Sequence, residues 1–259
     1  MFWLAMTLVG CSEYELIELN TPTRIDRLFD ELFDEPIPPA EEPIYLNEPD
    51  ALWSWDPDDN ELTFIGGFTD AFGLLNGMTD IAINNDGQML GCASDTLYAI
   101  NPETAEVAEI GPVLDENGLM LGLTGLTFVG DDALVGAGPG LRELDPITGE
   151  TLQVLPGTGL YSTSGDVVGL PDEQLYWSVT HGGDDEIIVV NPESGQIGSL
   201  GSSSVERLYG MGYYDETLYG FTEAGDWLEL NVSDGDRARW GQLVTWGATT
   251  NPVRWSRSL

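Results

Sequence analysis

The clearest pattern in the chain lies at residues 141–157, where two stretches of alternating apolar and polar residues flank a turn. A period of two along 141–144 and 151–155 is typical of β-strands, because successive side chains of a strand point to opposite faces. Between them, Asp145 can accept backbone hydrogen bonds, Pro146 has the φ of a type I turn, and Gly149 tolerates a positive φ. The stretch therefore predicts a β-hairpin.

The same hairpin pattern occurs five times along the chain. Each copy has Asp or Asn at the first turn position, and these residues are Asp56, Asn101, Asp145, Asn191 and Asn231. Their spacing of about 40–46 residues is typical of propeller blades, which have four short strands each. We therefore predict an all-β propeller of five blades over residues 44–259, with six blades as the alternative. One copy has Ala105 where a residue tolerant of positive φ is needed, so we expect an altered or strained turn there.

The first repeat is incomplete at its N-terminal end. When Asp56 is aligned with Asn101, residues 44–46 fall at the second strand of a blade, so the innermost strand is missing. At the other end, residues 244–249 follow the last repeat and have no later strand to pair with. We expect them to supply the missing strand, so that N- and C-terminal strands share one blade and the ring has no open edge.

Small or acidic residues begin the inner strands of the repeats, as a crowded central axis requires. They are Asp80, Gly125, Asp166, Gly210 and Gly247. Asp80 and Asp166 have the same position two blades apart, so we expect their carboxylates to converge on the axis. Such a pair could hold Ca²⁺ together with carbonyl oxygens and water, and calcium is the one cofactor that we consider. In the alternative, each carboxylate accepts hydrogen bonds from backbone N–H groups of the neighbouring blade.

The chain has a strong excess of acidic residues, with 45 acidic and 8 basic side chains and a formal charge of −37. This charge excludes a general electrostatic interaction with nucleic acid, which needs a basic surface. It also disfavours adsorption to anionic lipid. We interpret the acids as a strongly solvated surface, with recruitment of a cationic partner as the alternative.

An apolar run at residues 1–10 ends at Cys11. The sequence L-V-G-C resembles a bacterial lipobox, in which a signal peptide is cleaved before the cysteine and the thiol receives lipid. The resemblance implies that residues 1–10 are a signal peptide and that Cys11 is lipidated, although no basic residue precedes the run. We therefore expect an outer-membrane or cell-surface lipoprotein of a bacterial envelope. It would be held to the membrane only by lipid and would have no structural disulfide to Cys92.

Residues 11–43 form an acidic, proline-rich tether with one helical stripe. Apolar residues recur there at helical spacing, and they are Ile25, Leu28, Phe29, Leu32 and Phe33. Thr23 and Asp26 have the spacing of a helix cap. The stripe could pack on the propeller itself, or it could dock a partner as part of an envelope complex.

Two further copies of the hairpin sequence carry a resemblance to known repeats. Residues 97–104 read L-Y-A-I-N-P-E-T, and residues 188–195 read I-V-V-N-P-E-S-G. They resemble the repeats of bacterial extracytoplasmic β-propellers of the YVTN and quinoprotein-like types, which read L-Y-x-I-D-P-x-T-G. The resemblance covers about residues 44–255 and implies the fold. It leaves function open, since proteins of this class act as scaffolds, ligand-binding proteins or enzymes.

Few residues offer catalytic chemistry. His181 is the only histidine, which excludes a multi-histidine metal site, and no G-x-S-x-G motif is present to form a triad with it. We assign no catalytic residue. The alternative to a binding protein is a metal-dependent hydrolase or lyase, similar to lactonase-like propellers, that uses the axial carboxylates.

The leading prediction is a monomeric binding or scaffold module with a protein or small-molecule ligand. The ligand would meet the loops that join the outer strand of one blade to the inner strand of the next, at 66–77, 112–120, 156–164 and 201–206. Candidate ligand-face residues in these loops are Asp70, Asp115, Tyr161 and Ser164.

Overall fold

The predicted hairpin is present, with the bonds that its sequence requires. The computed structural model describes residues 23–33, 36–37, 44–180, 182–230, 232, 237–242 and 254–257, the last two ranges as backbone. In the third repeat, the N–H groups of Ile147 and Gly149 donate to Oδ1 and to the carbonyl oxygen of Asp145, both at 2.8 Å. The side chains of Asn101 and Asn191 accept equivalent backbone bonds at 2.9 and 2.7 Å. The same turn chemistry therefore recurs from blade to blade.

The strands form a five-bladed β-propeller, as predicted. Blade I contains β1 (Ile44–Glu48), β2 (Ala51–Asp56) and β3 (Glu61–Gly67), and a hairpin of β4 (Thr69–Asp70) and β5 (Gly73–Leu74) follows it. Blade II contains β6 (Asp80–Ile83), β7 (Met89–Ala93), β8 (Thr96–Ile100) and β9 (Val107–Pro112). Blade III contains β10 (Gly125–Val129), β11 (Ala133–Gly138), β12 (Gly140–Leu144) and β13 (Thr151–Val154).

After a short 3-10 helix (Thr158–Leu160), the remaining strands complete the ring. Blade IV contains β14 (Thr163–Gly169), β15 (Leu175–Val179), β16 (Glu186–Val190) and β17 (Ile197–Ser202). Blade V contains β18 (Leu208–Tyr214), β19 (Thr217–Thr222), β20 (Asp226–Leu230) and β21 (Arg237–Gln242), and β22 (Arg254–Arg257) follows it. Around the axis, β6 packs on β10, β10 on β14, β14 on β18, and β22 lies between β18 and β6.

Closure of the ring by both ends of the chain is confirmed, but with a later strand than expected. β22 pairs antiparallel with β1, where Leu46 is opposite Trp255, so β22 is the inner strand of blade I. Residues 244–249, which we expected in that place, lie outside the described residues. The prediction places the closing strand directly after the last repeat. At the other blade junctions, a loop joins the outer strand to the next inner strand, and β22 likewise begins well after β21 ends.

The core consists of five apolar clusters, one between each pair of adjacent blades. Phe68 and Met78 fill the space between blades I and II, and Trp177 fills the space between blades III and IV. Trp55 closes the junction of blades V and I, with its ring 5.5 Å from that of Phe221. The four tryptophans whose side chains the structure describes therefore pack in the clusters between blades, and they are Trp53, Trp55, Trp177 and Trp227.

The N-terminal helix, α1 (Arg24–Leu32), packs on the propeller. Thr23 and Asp26 form a capping box at its start, as predicted. Ile25 and Phe29 are buried in the cluster between blades II and III, and Gln88 donates to Oδ1 of Asp26 at 2.6 Å. The apolar stripe thus has a local partner. No helix among the residues described has the length and apolar character needed to cross a membrane.

The antiparallel order of each blade separates two faces of the molecule. Connections from the second to the third strand, and from the fourth strand to the next blade, leave from one face, which we call the loop face. The repeated Asp/Asn turns leave from the opposite face, the turn face. All four loops proposed to meet a ligand therefore lie on the loop face.

The turn of blade II is strained, as expected from its sequence. Ala105 has a φ of 61°, in the left-handed region that disfavours residues with a Cβ atom. Gly149 and Gly195 have φ values of 77° and 68° at the equivalent position and carry no such cost. The backbone of the turn is thus kept the same even where the residue does not suit it.

Gly149→Ala is expected to destabilise the protein more than Gly118→Ala. Both glycines have a φ of 77°, so both variants lose about 1 kcal/mol from the left-handed conformation. Only at position 149 would the new Cβ meet a backbone atom, the carbonyl oxygen of Pro112 at 2.7 Å. We expect this contact to cost about 1–3 kcal/mol more in urea unfolding. Equal losses in the two variants would contradict the close approach.

Candidate functional site

The carboxylate of Asp80 joins two inner strands at the axis. Asp80 begins β6 and is 1% exposed. Its Oδ1 accepts a hydrogen bond from the N–H of Ile81 at 2.9 Å, and its Oδ2 accepts one from the N–H of Leu126 at 2.6 Å. Since Leu126 belongs to β10, this side chain ties blade II to blade III.

Asp166 repeats the arrangement two blades further on. Its Oδ1 accepts from the N–H of Val167 and its Oδ2 from the N–H of Met211, both at 2.6 Å, so blade IV is tied to blade V. Between blades III and IV, the N–H of Gly169 donates to Oγ1 of Thr127 at 2.9 Å. The backbone-capping alternative is therefore confirmed for both acids. We call these three contacts the inner-strand latches.

Gly125 lies between the two acids and leaves them room to meet. A Cβ at this position would lie 3.0 Å from Cβ of Ala137 and 3.1 Å from Cα of Asp166. Across this gap, the side chains of Asp80 and Asp166 hydrogen-bond to each other. The predicted convergence of the two carboxylates on the axis is thus present.

The pair is suited to hold a proton. Burial raises the pKa of Asp80 well above its ordinary value, and the charge of Asp166, the hydrogen bond between them and the Cys92 thiol raise it further. One carboxyl can then donate to the other while both accept backbone bonds. Among the residues described, no three His, Cys, Asp or Glu side chains form a group that could hold a metal ion. Calcium binding by the pair stays a prediction.

Asp70 and Asp115 hold the backbone of their own loops. Oδ1 of Asp70 accepts from the N–H of Phe72 at 2.7 Å, at the tip of the β4–β5 hairpin. Oδ1 of Asp115 accepts from the N–H groups of Leu119 and Asn117, both at 2.8 Å, and these bonds lower the pKa of Asp115. Both carboxylates therefore shape the loop face by fixing its loops.

Tyr161 and Ser164 also face inward. The ring of Tyr161 packs 6.1 Å from that of Trp177, and Oγ of Ser164 donates to Oδ2 of Asp185 at 2.5 Å. Asp185 is 2% exposed, accepts from the N–H of Leu208 at 2.7 Å, and has a pKa raised by burial. Sequence reasoning missed Asp185, because an acid in a glycine-rich loop is usually solvated.

Ser164 and Asp185 line a hollow on the loop face between blades IV and V, which we call the polar hollow. Its volume is about 390 Å³, and its lining residues include Thr163, Ser164, Thr180, Asp185, Arg207 and Tyr209. Arg207 makes an ion pair with Glu223. His181 lies outside the described residues. The hollow offers hydroxyl, carboxylate and guanidinium groups within one cavity.

The other loops of this face present apolar side chains to solvent. They are Phe72, Leu74, Leu119, Met120 and Leu160. Sequence reasoning missed them, although each lies in a loop whose other residues are mostly polar, small or glycine. An apolar residue that has no strand or helix period in such a loop is the pattern that could have identified them.

No family model and no curated protein matches the chain. A nidogen/laminin complex has a similar fold, with a TM-score of 0.52 and 12% identity over 80% of this chain and 76% of that one. The extracellular domain of a one-component system from B. thetaiotaomicron gives a TM-score of 0.48 and 12% identity, over 83% of this chain and only 31% of that one. A protein of unknown function from Bacteroides caccae gives 0.45 and 12%, over 77% and 72%. At this identity, the match to the nidogen/laminin complex shows a shared fold alone.

The axial pair predicts a dependence of stability on pH. The pKa of Asp80 is raised in the folded protein above its unfolded value of about 3.9, so the folded state holds a proton that the unfolded chain releases. This contribution is fully present below the unfolded pKa and is lost as the pH rises through the folded pKa. We therefore expect Tm to fall as the pH rises from about 4 to 8 in thermal unfolding.

Asp80→Asn isolates this effect from the general repulsion between acids. The variant cannot release the shared proton, so its unfolding free energy should change less with pH, by up to about 1.4 kcal/mol per pH unit. Glu103→Gln, at an exposed turn residue, removes the same charge away from the axis and should keep the wild-type slope. If the two variants had the same slope, the proton would not be held at the axis.

Proposed function

We propose that the chain is a lipid-anchored binding module of the bacterial envelope, and that its loop face binds a small polar ligand. The anchor would be Cys11, which lies outside the described residues. The observation that carries the proposal is the polar hollow between blades IV and V. It is concave, reaches solvent, and has several convergent hydrogen-bonding groups, which are properties of ligand sites.

The walls of the hollow are fixed before any ligand arrives. Asp185 connects Ser164 of β14 to Leu208 of β18 through its Oδ2. Its backbone adds two bonds to the loop between blades IV and V, to the carbonyl of Val205 and from the N–H of Ser203, both at 2.8 Å. A site built from rigid walls loses little conformational entropy on binding, which favours affinity.

Residues at the hollow favour a ligand rich in hydrogen-bonding groups. Hydroxyl groups of Thr163 and Thr180 can donate or accept, the exposed carboxylate of Glu206 accepts, and Arg207 donates. An apolar ligand would leave these groups unpaired, which is costly. We therefore expect a sugar, an amino acid or a similarly polar molecule.

The inner strands pack closely around the axis. A Cβ on Gly165 would lie 2.4 Å from Cα of Tyr209, so the inner strands of blades IV and V are in direct backbone contact. Two of the inner-strand latches likewise join blade II to blade III and blade III to blade IV. A ligand is therefore expected to bind over the ring rather than through it.

The test is ligand-dependent thermal stability with a panel of neutral saccharides, amino acids and polyamines. At least one class should raise Tm until the site is saturated. At a ligand concentration of a hundred times Kd, the unfolding free energy should rise by about 2.7 kcal/mol. Thr180→Trp should abolish the gain by filling the hollow. Thr63→Trp, at an exposed threonine of β3, should retain it. Equal binding by both variants, or no shift with any of the probes, would contradict the proposal.

A metal-dependent hydrolase or lyase remains a second candidate, because Asp80 and Asp166 do converge. Against it, all four carboxyl oxygens already accept backbone hydrogen bonds, and calcium prefers six to eight oxygen ligands. The carboxyl groups of Asp80 and Asp166 are therefore better suited to share a proton than to bind a calcium ion. We assign no chemical step to the pair.

Calcium titration distinguishes the two candidates. If the binding-module proposal is right, Tm should be unchanged at millimolar calcium, because the carboxyl oxygens of Asp80 and Asp166 are already occupied by backbone hydrogen bonds. A rise in Tm that Asp80→Ala or Asp166→Ala removes would support the hydrolase candidate instead. The Glu103→Gln variant controls for calcium bound to exposed acids.

A further inference from the structure

The loop face has a second surface, which we call the apolar arc. It consists of Phe72, Leu74, Leu119, Met120 and Leu160. Phe72 is 98% exposed, Leu160 is 90% exposed and Leu74 is 77% exposed. These residues lie at three consecutive junctions, from blade I to blade IV, while the polar hollow occupies the next junction.

Hydrogen bonds fix the backbone of each of the three loop tips that carry the apolar arc. Asp70 bonds to the N–H groups of Phe72 and Gly73, at 2.7 and 3.0 Å, and so closes the hairpin under the phenyl ring. Asp115 bonds to the N–H of Leu119 at 2.8 Å.

The third tip is anchored in the same manner. Oγ1 of Thr158 accepts from the N–H of Leu141 at 3.0 Å and donates to the carbonyl of Leu155 at 2.8 Å, below Leu160. Thr158 itself is fully buried. The apolar side chains are therefore presented by ordered loops.

Exposed apolar side chains on rigid loops are typical of interaction surfaces. Large aromatic and aliphatic residues in water cost solvation free energy that burial against a partner recovers. Because the loops are already ordered, docking would lose little backbone entropy. The same loops bury other apolar residues, such as Phe68 and Leu121, so exposure of the tips is not needed to form the fold.

Charge around the arc indicates the kind of partner. Asp50, Asp95 and Glu116 lie in connections on the same face, and the whole chain has a formal charge of −37. This charge opposes an anionic lipid surface and a second copy of the chain. A protein with basic residues around an apolar patch would complement both features.

We propose that the apolar arc docks a partner protein whose contact patch is apolar at its centre and basic at its rim. Phe72 and Leu160 are the anchoring side chains, since aromatic and aliphatic anchors surrounded by charge dominate such contacts. The surrounding acids speed association and select the partner. The surface is separate from the polar hollow and does not depend on a ligand there.

The test places the photo-crosslinking amino acid p-benzoylphenylalanine at position 72 or 160 of the full chain, in the cells that make it. The matched controls are positions 64 and 152, where Phe64 and Leu152 are 56% and 58% exposed on outer strands. We expect one discrete protein adduct from 72 and 160 and none from the controls. Mass spectrometry should identify a protein with a basic surface.

Binding of that identified protein is then measured in solution. Phe72→Ser or Leu160→Ser should weaken it at least about tenfold, Phe64→Ser should leave it unchanged, and rising salt should slow association. Adducts with a second copy of the chain, or binding to phosphatidylcholine vesicles that Phe72→Ser removes, would overturn the proposal in favour of that occupant. Equal adducts from all four positions, or no adduct from any of them, would overturn it altogether.

Discussion

The structure depends on hydrogen bonds that a side chain of one inner strand accepts from the backbone of the next. The inner strands of blades II, III and IV are the edges of their sheets, and their buried N–H groups need acceptors that the blade itself does not provide. Asp80, Thr127 and Asp166 supply those acceptors from one blade to the next. Both acids therefore join neighbouring blades, and the raised pKa of Asp80 favours a protonated carboxyl beside Asp166.

Local chemistry explains how much of the fold could be predicted. Asp145 and Gly149 determine their turn by bonds within five residues, so five copies of the phrase were enough to identify a propeller. The closing strand β22 was misplaced because its partner β1 is far away in the sequence. The axial meeting of Asp80 and Asp166 followed from their equivalent positions in the repeats, but their bonds to Leu126 and Met211 only emerge when the blades are side by side.

Predictions about the loop face were weaker, since exposure in a loop has no periodic pattern. Asp70 and Asp115 are predicted to meet a ligand, and the structure shows that their carboxylates bond the loop backbone. The apolar tips that those bonds support, such as Phe72, were overlooked. Asp185 was missed for the converse reason, because its burial depends on packing between two blades. In each case the local sequence specifies the turn, and tertiary packing decides which side chain points outward.

The pairing of β22 with β1 has a consequence for biosynthesis. The first blade must wait for a partner roughly 200 residues further along, and contacts this distant in sequence slow folding. Until then, β1 has an unpaired edge, which is a template for aggregation. A nascent chain in which β22 has not yet paired is thus open to aggregation and proteolysis. Pairing of β22 with β1 therefore removes this exposed strand edge only after most of the ring has been made.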